Sequence, residues 1–195
     1  MENQNTYKSF APPFYPFCSR CWAMPNSKTF SIKPIYEFVK RNIPANAKTI
    51  IDPFANECKI ATITNDLNPA FNTNYHMDAL DFLKTFENES VDVVLYDPPY
   101  SLRQVKECYE GVGIEVTQEH TRSSWRAKHL DEVQRILKPN GIALTFGWNS
   151  NGVGKMRGFK ITEILLVAHG GSKNDTICCA EMKQNKEILW NPTSI

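Results

Sequence analysis

Val91-Asp92-Val93-Val94-Leu95-Tyr96-Asp97-Pro98-Pro99-Tyr100 decides how this chain is read. The first six residues are a short apolar run rich in β-branched side chains, the signature of a buried strand. The last four put a carboxylate, two prolines and an aromatic ring at its tip. Proline fixes φ and donates no N–H, so the carbonyls there are free to accept hydrogen bonds. Asp97 adds an acceptor and Tyr100 a flat apolar face. This corner suits a planar ring bearing an exocyclic amine, with the amine donating to Asp97 and a proline-flanked carbonyl while the ring stacks on Tyr100. The plainer reading is a proline-terminated strand with a capping Asp and a packed Tyr.

Outward from this strand, the pattern alternates. A helix fits from Lys33-Pro34 to about Asn42, with Ile35, Phe38 and Val39 on one face and proline in its first turn. Thr49–Ile51 and Ala61–Thr64 read as strands, Ala79–Phe86 as a short helix, and Arg122–Leu137 as a longer helix stopped by Lys138-Pro139-Asn140-Gly141. Ile142–Phe146 is a further strand, and Ile161–Val167 with Thr176–Met182 form a hairpin with a long loop. Strands alternating with helices and ending in a hairpin predict an α/β fold: an open, mostly parallel sheet with an antiparallel edge. Residues 1–29, broken by prolines at 12, 13 and 16, read as an irregular arm, and residues 30–195 as a single domain.

In such a sheet, ligands bind at the carboxyl ends of the strands. Acidic residues fall at those ends here: Asp52 in Asp52-Pro53-Phe54-Ala55, Asp66 in Asn65-Asp66-Leu67-Asn68, Asp78 before the helix that begins at Ala79, and Asp97. An acid at the tip of the second strand can accept both hydroxyls of a ribose, so the set suggests a nucleoside cofactor. Singly each is an ordinary turn or N-cap residue.

These motifs resemble those of the amino-methyltransferases of nucleic acids, most of all the small adenine-N6 DNA methyltransferases of bacteria and their phages. Asp97-Pro98-Pro99-Tyr100 resembles the family's catalytic motif, and Asp52-Pro53-Phe54 its cofactor motif. Phe30-Ser31-Ile32-Lys33-Pro34-Ile35 resembles its cofactor-contacting Lys-Pro segment. The resemblance implies a Rossmann-like S-adenosylmethionine-dependent methyltransferase fold. It places Asp66 and Leu67 at the cofactor ribose and Asp78 and Ala79 at its adenine. It implies transfer of methyl to the N6 amine of adenine in DNA, with the base flipped from a duplex or already single-stranded. Alternatives are a base amine of RNA (guanine N2 or adenine N6), cytosine N4, or a non-catalytic binding protein that keeps the fold.

Two departures from the family stand out. The loop Phe54-Ala55-Asn56-Glu57-Cys58-Lys59 has no glycine where the family is glycine-rich, and Asp52 and Asp66 are too close for a full crossover helix. Little chain remains for a recognition domain, so a short or relaxed sequence preference is expected.

Composition narrows the class. Apolar and charged fractions are ordinary for a water-soluble globular domain, no run is long enough to cross a bilayer, and the N-terminus lacks a signal-peptide pattern, so a cytoplasmic location is expected. Residues 101–160 carry 10 basic and 6 acidic side chains and are the basic part of a chain whose net charge is only +1. Arg103, Lys106, Arg122 and Arg126 are the candidate phosphate contacts there, or else ordinary solvated surface. Cys18 and Cys21 have the spacing of zinc ligands, but the adjacent pair Cys178-Cys179 suits tetrahedral ligation poorly; six thiols and no metal are expected. No phosphate-binding Gly-Lys-Ser/Thr loop occurs.

Overall fold

The computed structural model describes residues 15–185 apart from 119, 121 and 123. Among these residues seven strands form one sheet: β1 Phe17–Trp22, β2 Ile50–Asp52, β3 Ile63–Thr64, β4 Val91–Tyr96, β5 Leu137–Gly147, β6 Phe159–Ala168 and β7 Thr176–Lys183. Their spatial order is β1-β6-β7-β5-β4-β2-β3. Among the described residues four α-helices accompany them: α1 Lys33–Asn42, α2 Ala79–Lys84, α3 Leu102–Gly111 and α4 Ser124–Ile136. Among the described residues, no helix is long and apolar enough to cross a membrane.

The helices fill the two faces of the sheet. On one, Phe30, Ile35, Phe38 and Val39 pack on Val93, Leu95, Leu144 and Phe146. On the other, Phe82, Leu83, Leu130, Val133 and Ile136 cover Ile51, Val94, Tyr96 and Ala143. Each such side chain contributes roughly 1.5–3 kcal/mol when fully buried. β4 lies between both layers, which explains the apolar run Val93–Tyr96.

Three expectations are corrected. The antiparallel strand is not at the edge: β7 sits inside the sheet, antiparallel to both β5 and β6, while every other neighbouring pair is parallel. The arm is not irregular throughout, since Phe17–Trp22 pairs in parallel with β6. This pairing joins residues far apart in the chain, and an exposed edge strand carries no continuous apolar signal. Residues 1–14 lie outside the described part. Finally, the stretch after Tyr100 contains helix α3, started by a capping box in which Ser101 and Gln104 bond reciprocally. By contrast, residues 53–62 between β2 and β3 contain turns and no α-helix, as the short spacing requires.

Asp92 ties the amino ends of three strands together. Its carboxylate accepts from the backbone N–H of Lys48 at 2.8 Å and Thr49 at 2.9 Å, and from Lys138 Nζ at 2.6 Å. Partial burial raises its pKa, but Lys138 and the two N–H groups outweigh this and hold it at about 2. A carboxylate depressed in the fold stabilises it above the unfolded pKa, and the benefit fades as pH falls from about 4 towards 2. Allowing for solvent screening, Asp92→Asn should cost about 1–2 kcal/mol at neutral pH and flatten the stability profile in that acid window. Urea titrations at a series of pH values test this. An unchanged acid limb would refute it.

Candidate active site

With six strands pointing one way, their carboxyl ends converge on one face. The chain leaves β2 towards β3 and then crosses back to β4, so strand order reverses between β2 and β4. At such a switch point the loops diverge and leave a crevice. A cleft of about 970 Å³ opens there, lined by Pro53–Glu57, Asp66–Asn68, Met77–Ala79 and Asp97–Tyr100, with α3, the Pro25–Ile32 segment and the β6–β7 turn completing its walls.

Asp97 and Tyr100 form the corner expected from the sequence. The Tyr100 hydroxyl donates to Asp97 Oδ1, which orients the carboxylate. Burial raises the Asp97 pKa, while hydrogen bonds from Tyr100 and Thr29 and the charge of Arg126 oppose the rise. Burial and the adjacent carboxylate raise Tyr100, keeping its hydroxyl protonated and a donor. Gln104 Oε1 accepts from the Tyr100 N–H at 2.7 Å and so fixes the backbone of the corner from α3. Trp148, just past β5, meets Tyr100 edge-on with centroids 5.9 Å apart.

The other acidic tips divide into a floor and two walls. Asp52 is fully buried beneath the cleft. Its Oδ1 accepts from the Phe54 N–H at 3.0 Å, and its Oδ2 has no hydrogen-bond partner among the described residues. Burial pushes its pKa well above the usual carboxylate range, against the Phe54 N–H, and Asp97 and Asp66 add to the rise. A buried oxygen of this kind favours a nearby cation or donor. Asp66 accepts from the Asn56 N–H at 2.8 Å and the Asn68 N–H at 2.9 Å. Asp78 caps α2 by accepting from the Leu80 N–H at 2.8 Å, and its second oxygen accepts from the Tyr109 hydroxyl.

The glycine-free loop finds another solution. Asn56 adopts φ +51°, the left-handed region usually left to glycine and tolerated best by Asn and Asp. Its N–H is the one held by Asp66. Asn56→Gly should therefore leave stability within about 0.5 kcal/mol, whereas Asn56→Val should cost about 1–2 kcal/mol. Thermal melts of the two variants check this, and equal melting temperatures would contradict it.

Several contributors have no obvious sequence signature. Asn65 is fully buried; its Nδ2 donates to the carbonyls of Pro53 and Met77 at 3.0 Å each, and its Oδ1 accepts from the Met77 N–H at 3.0 Å. It joins the loop after β2 to the loop before α2. Trp125, Tyr109 and Phe54 pack as one apolar wall, and His120 stacks on Tyr109 with centroids 4.2 Å apart. Behind them His129 is buried, 3.2 Å from the Tyr96 hydroxyl through Nδ1, and burial pushes its pKa down to about 4, so it is neutral at physiological pH. Capping of α3 brings Tyr109 to this wall, a placement visible only if Ser101-Leu102-Arg103-Gln104 is read as a helix start.

Other expected residues lie elsewhere. Lys33 is exposed and sits 4.0 Å from Glu37 one turn along α1. Neither Lys33 nor Pro34 lines the cleft; Thr29, Phe30, Ser31, Ile32 and Tyr36 do. Proline in the first helical turn holds the preceding residues extended, and these, not the lysine, meet the cavity. Arg103 and Lys106 are exposed on α3, pair with Glu107 and Glu110, and do not line the cleft. Arg126 is half-buried with its guanidinium 5.6 Å from the Tyr96 ring centroid and does not line the cleft. Arg122 is exposed. Among the described residues no group of three or more His, Cys, Asp or Glu is placed to hold a metal.

No protein-family model matches the chain. Over 95 residues it is 34% identical to the type II methyltransferase M.BamHI of Bacillus amyloliquefaciens; the match takes in 44% of this chain and 21% of that enzyme, about a fifth of its length. Among solved structures, 78% of the chain superposes on 78% of the 1,6-didemethyltoxoflavin-N1-methyltransferase of Burkholderia thailandensis, whose structure holds S-adenosylhomocysteine (TM-score 0.52, 11% identity). TrmN of Thermus thermophilus matches 78% of this chain with 49% of its own (TM-score 0.51, 16% identity). At these identities the likeness is one of fold. The chain has the Rossmann-like fold of S-adenosylmethionine-dependent methyltransferases, an α/β sheet that is mostly parallel with a C-terminal antiparallel hairpin.

Proposed function

We propose that this protein is an S-adenosylmethionine-dependent methyltransferase that acts on the N6 amine of adenine in DNA, with a short or relaxed sequence preference. The observation that carries the reading is the Asp97-Pro98-Pro99-Tyr100 corner, set at the carboxyl end of β4 on the rim of the switch-point cleft. The partial match to a type II methyltransferase supports it.

The residues around the cleft fit the cofactor. The carboxylates of Asp66 and Asp78 line the cleft and suit the hydroxyls and amine of a nucleoside, while Asp52, fully buried, does not line it. Asn56 supplies the left-handed turn that a glycine-rich loop would give. This weakens the main argument for a non-catalytic binder. When bound, S-adenosylmethionine supplies the activated methyl group.

The chain's own part is positioning. Asp97, oriented by Tyr100, and the Pro98 carbonyl accept from the two amine hydrogens. That points the nitrogen lone pair away from the ring plane and towards the cofactor end of the cleft. The Tyr100 ring stacks on the base, and Trp148 braces Tyr100 from the side. Phe54, Tyr109 and Trp125 keep water from that wall. The amine proton is lost after transfer, so no strong base is required.

The test is transfer of radiolabelled methyl to unmodified DNA and RNA, followed by nucleoside analysis. N6-methyladenine from DNA is the expected product. Label on cytosine N4 or on RNA would retain the amine chemistry and replace the substrate. No transfer, with no heat on titration of S-adenosylmethionine, would overturn the reading.

A further inference from the structure

The mouth of the cleft is rimmed by aromatic rings that no core cluster absorbs. Trp148 is 43% exposed and braces Tyr100; Tyr36 of α1 is 44% exposed and lines the same cleft. Trp22 ends β1 and is 62% exposed. It stands against the β6–β7 turn, where a Cβ on Gly170 would lie 3.3 Å from its indole nitrogen. That turn itself lines the cleft through His169, Ser172, Lys173 and Asn174. His169 anchors it, with Nδ1 2.8 Å from the Ala23 carbonyl and Nε2 2.9 Å from the Thr176 hydroxyl. Trp22 and the turn are therefore held together at one end of the site.

The charge at the same place is not that of a duplex groove. The basic residues lining the cleft are Lys28 and Lys173, and Lys28 is paired with Glu57. Glu57, Asp66, Asp78, Asp97 and Glu107 line it as well, so acids outnumber bases. Duplex binding draws most of its affinity from rows of cations along the phosphates. Unpaired strands draw a larger share of their affinity from bases stacking on aromatic side chains, beside the cations that track their backbone.

Resting on the methyltransferase reading above, we infer that the acceptor is an unpaired nucleic-acid strand, with nucleotides flanking the target stacking on Trp148 and Trp22 and a phosphate meeting Lys173. Such a substrate presents its target base without the cost of opening a duplex.

Binding of a fluorescent single-stranded oligonucleotide and of its duplex, by anisotropy at two salt concentrations, tests the inference. The single strand should bind at least about tenfold tighter, with a smaller salt slope than the duplex, about 0.7 against about 0.9 per neutralised phosphate. Trp148→Ala and Trp22→Ala should each weaken it between about fivefold and about 150-fold, the range for one stacked base. Trp148→Phe and Trp22→Tyr, which keep a ring, should restore most of the loss and so separate stacking from misfolding. The double variant Arg103→Ala, Lys106→Ala should bind the single strand within about twofold of the parent. Tighter duplex binding, indifference to both Trp→Ala changes, or a steep salt dependence lost in the double variant would each overturn the inference. Methyl transfer to the same two substrates keeps the two readings apart. Product on the duplex alone overturns the single-strand inference and leaves the methyltransferase. Product on neither removes the methyltransferase, and the stacking surface is then judged on binding alone.

Discussion

Asp97→Ala should lower methyl transfer by about three orders of magnitude or more while S-adenosylmethionine binds within a few-fold of the parent protein. The magnitude is that of removing one preorganised hydrogen-bond partner from a reacting centre, about 10²–10³-fold, increased by the loss of orientation that the same group provides. Binding should survive because the cofactor end of the cleft is built from other elements. Asp66 and Asn56 hold one wall, Asp78 with Tyr109 holds another, and Asn65 links their loops. Removing the carboxylate also frees the Tyr100 hydroxyl, so Asp97→Asn, which keeps an acceptor for it, should retain more activity than the alanine variant. Single-turnover transfer beside calorimetry of cofactor binding separates the two effects. Full activity in Asp97→Ala would end the assignment of this corner as the reacting site.

The largest stability effect should come from a glycine. Gly152→Ala should destabilise the fold by about 3 kcal/mol, or displace the whole loop after β5. Gly152 has φ +55°, and a Cβ there would lie 2.0 Å from Glu181 Oε2 and 2.4 Å from its Cδ. Glu181 cannot give way easily. It is fully buried on β7, accepts from the N–H of Val153 at 2.6 Å and of Gly154 at 3.0 Å, and has its pKa raised by burial against those two bonds. Overpacking of a rigid interior costs about 1–3 kcal/mol, and the left-handed backbone adds about 1 kcal/mol for a residue with a Cβ. Because the same loop carries Trp148, activity should fall together with stability. A denaturation midpoint equal to that of the parent would show that Glu181 yields.

The pattern of what was legible follows the range of the interactions. β4, α1 and α2 were readable because each is set by neighbours along the chain: a β-branched run, a proline in a first helical turn, and an Asp N-cap at Asp78. α3 carried readable signals too, the Ser101–Gln104 box and the apolar stripe Leu102, Val105 and Tyr109 at helical spacing. β1 carried almost none, since a half-exposed edge strand lacks a buried pattern and its partner β6 begins at residue 159. Lys33 shows a different limit. Phe30, Ser31 and Ile32 of that segment line the cleft, and which of its side chains does so depends on how α1 packs against the sheet.

By itself the sequence determined the alternating α/β order and the acidic or proline-rich tips of β2, β3 and β4, because strand propensity and turn chemistry act over a few residues. Only the tertiary structure decided that β7 threads between β5 and β6, that Asp52 lies buried with an unpartnered oxygen, that Asn56 takes the left-handed turn, and that Trp148 lines the cleft while Trp22 stands against the β6–β7 turn. The physical reason is that these features depend on which strands lie side by side. That is settled by burying two sheet faces at once, a condition on the whole chain that no short stretch records.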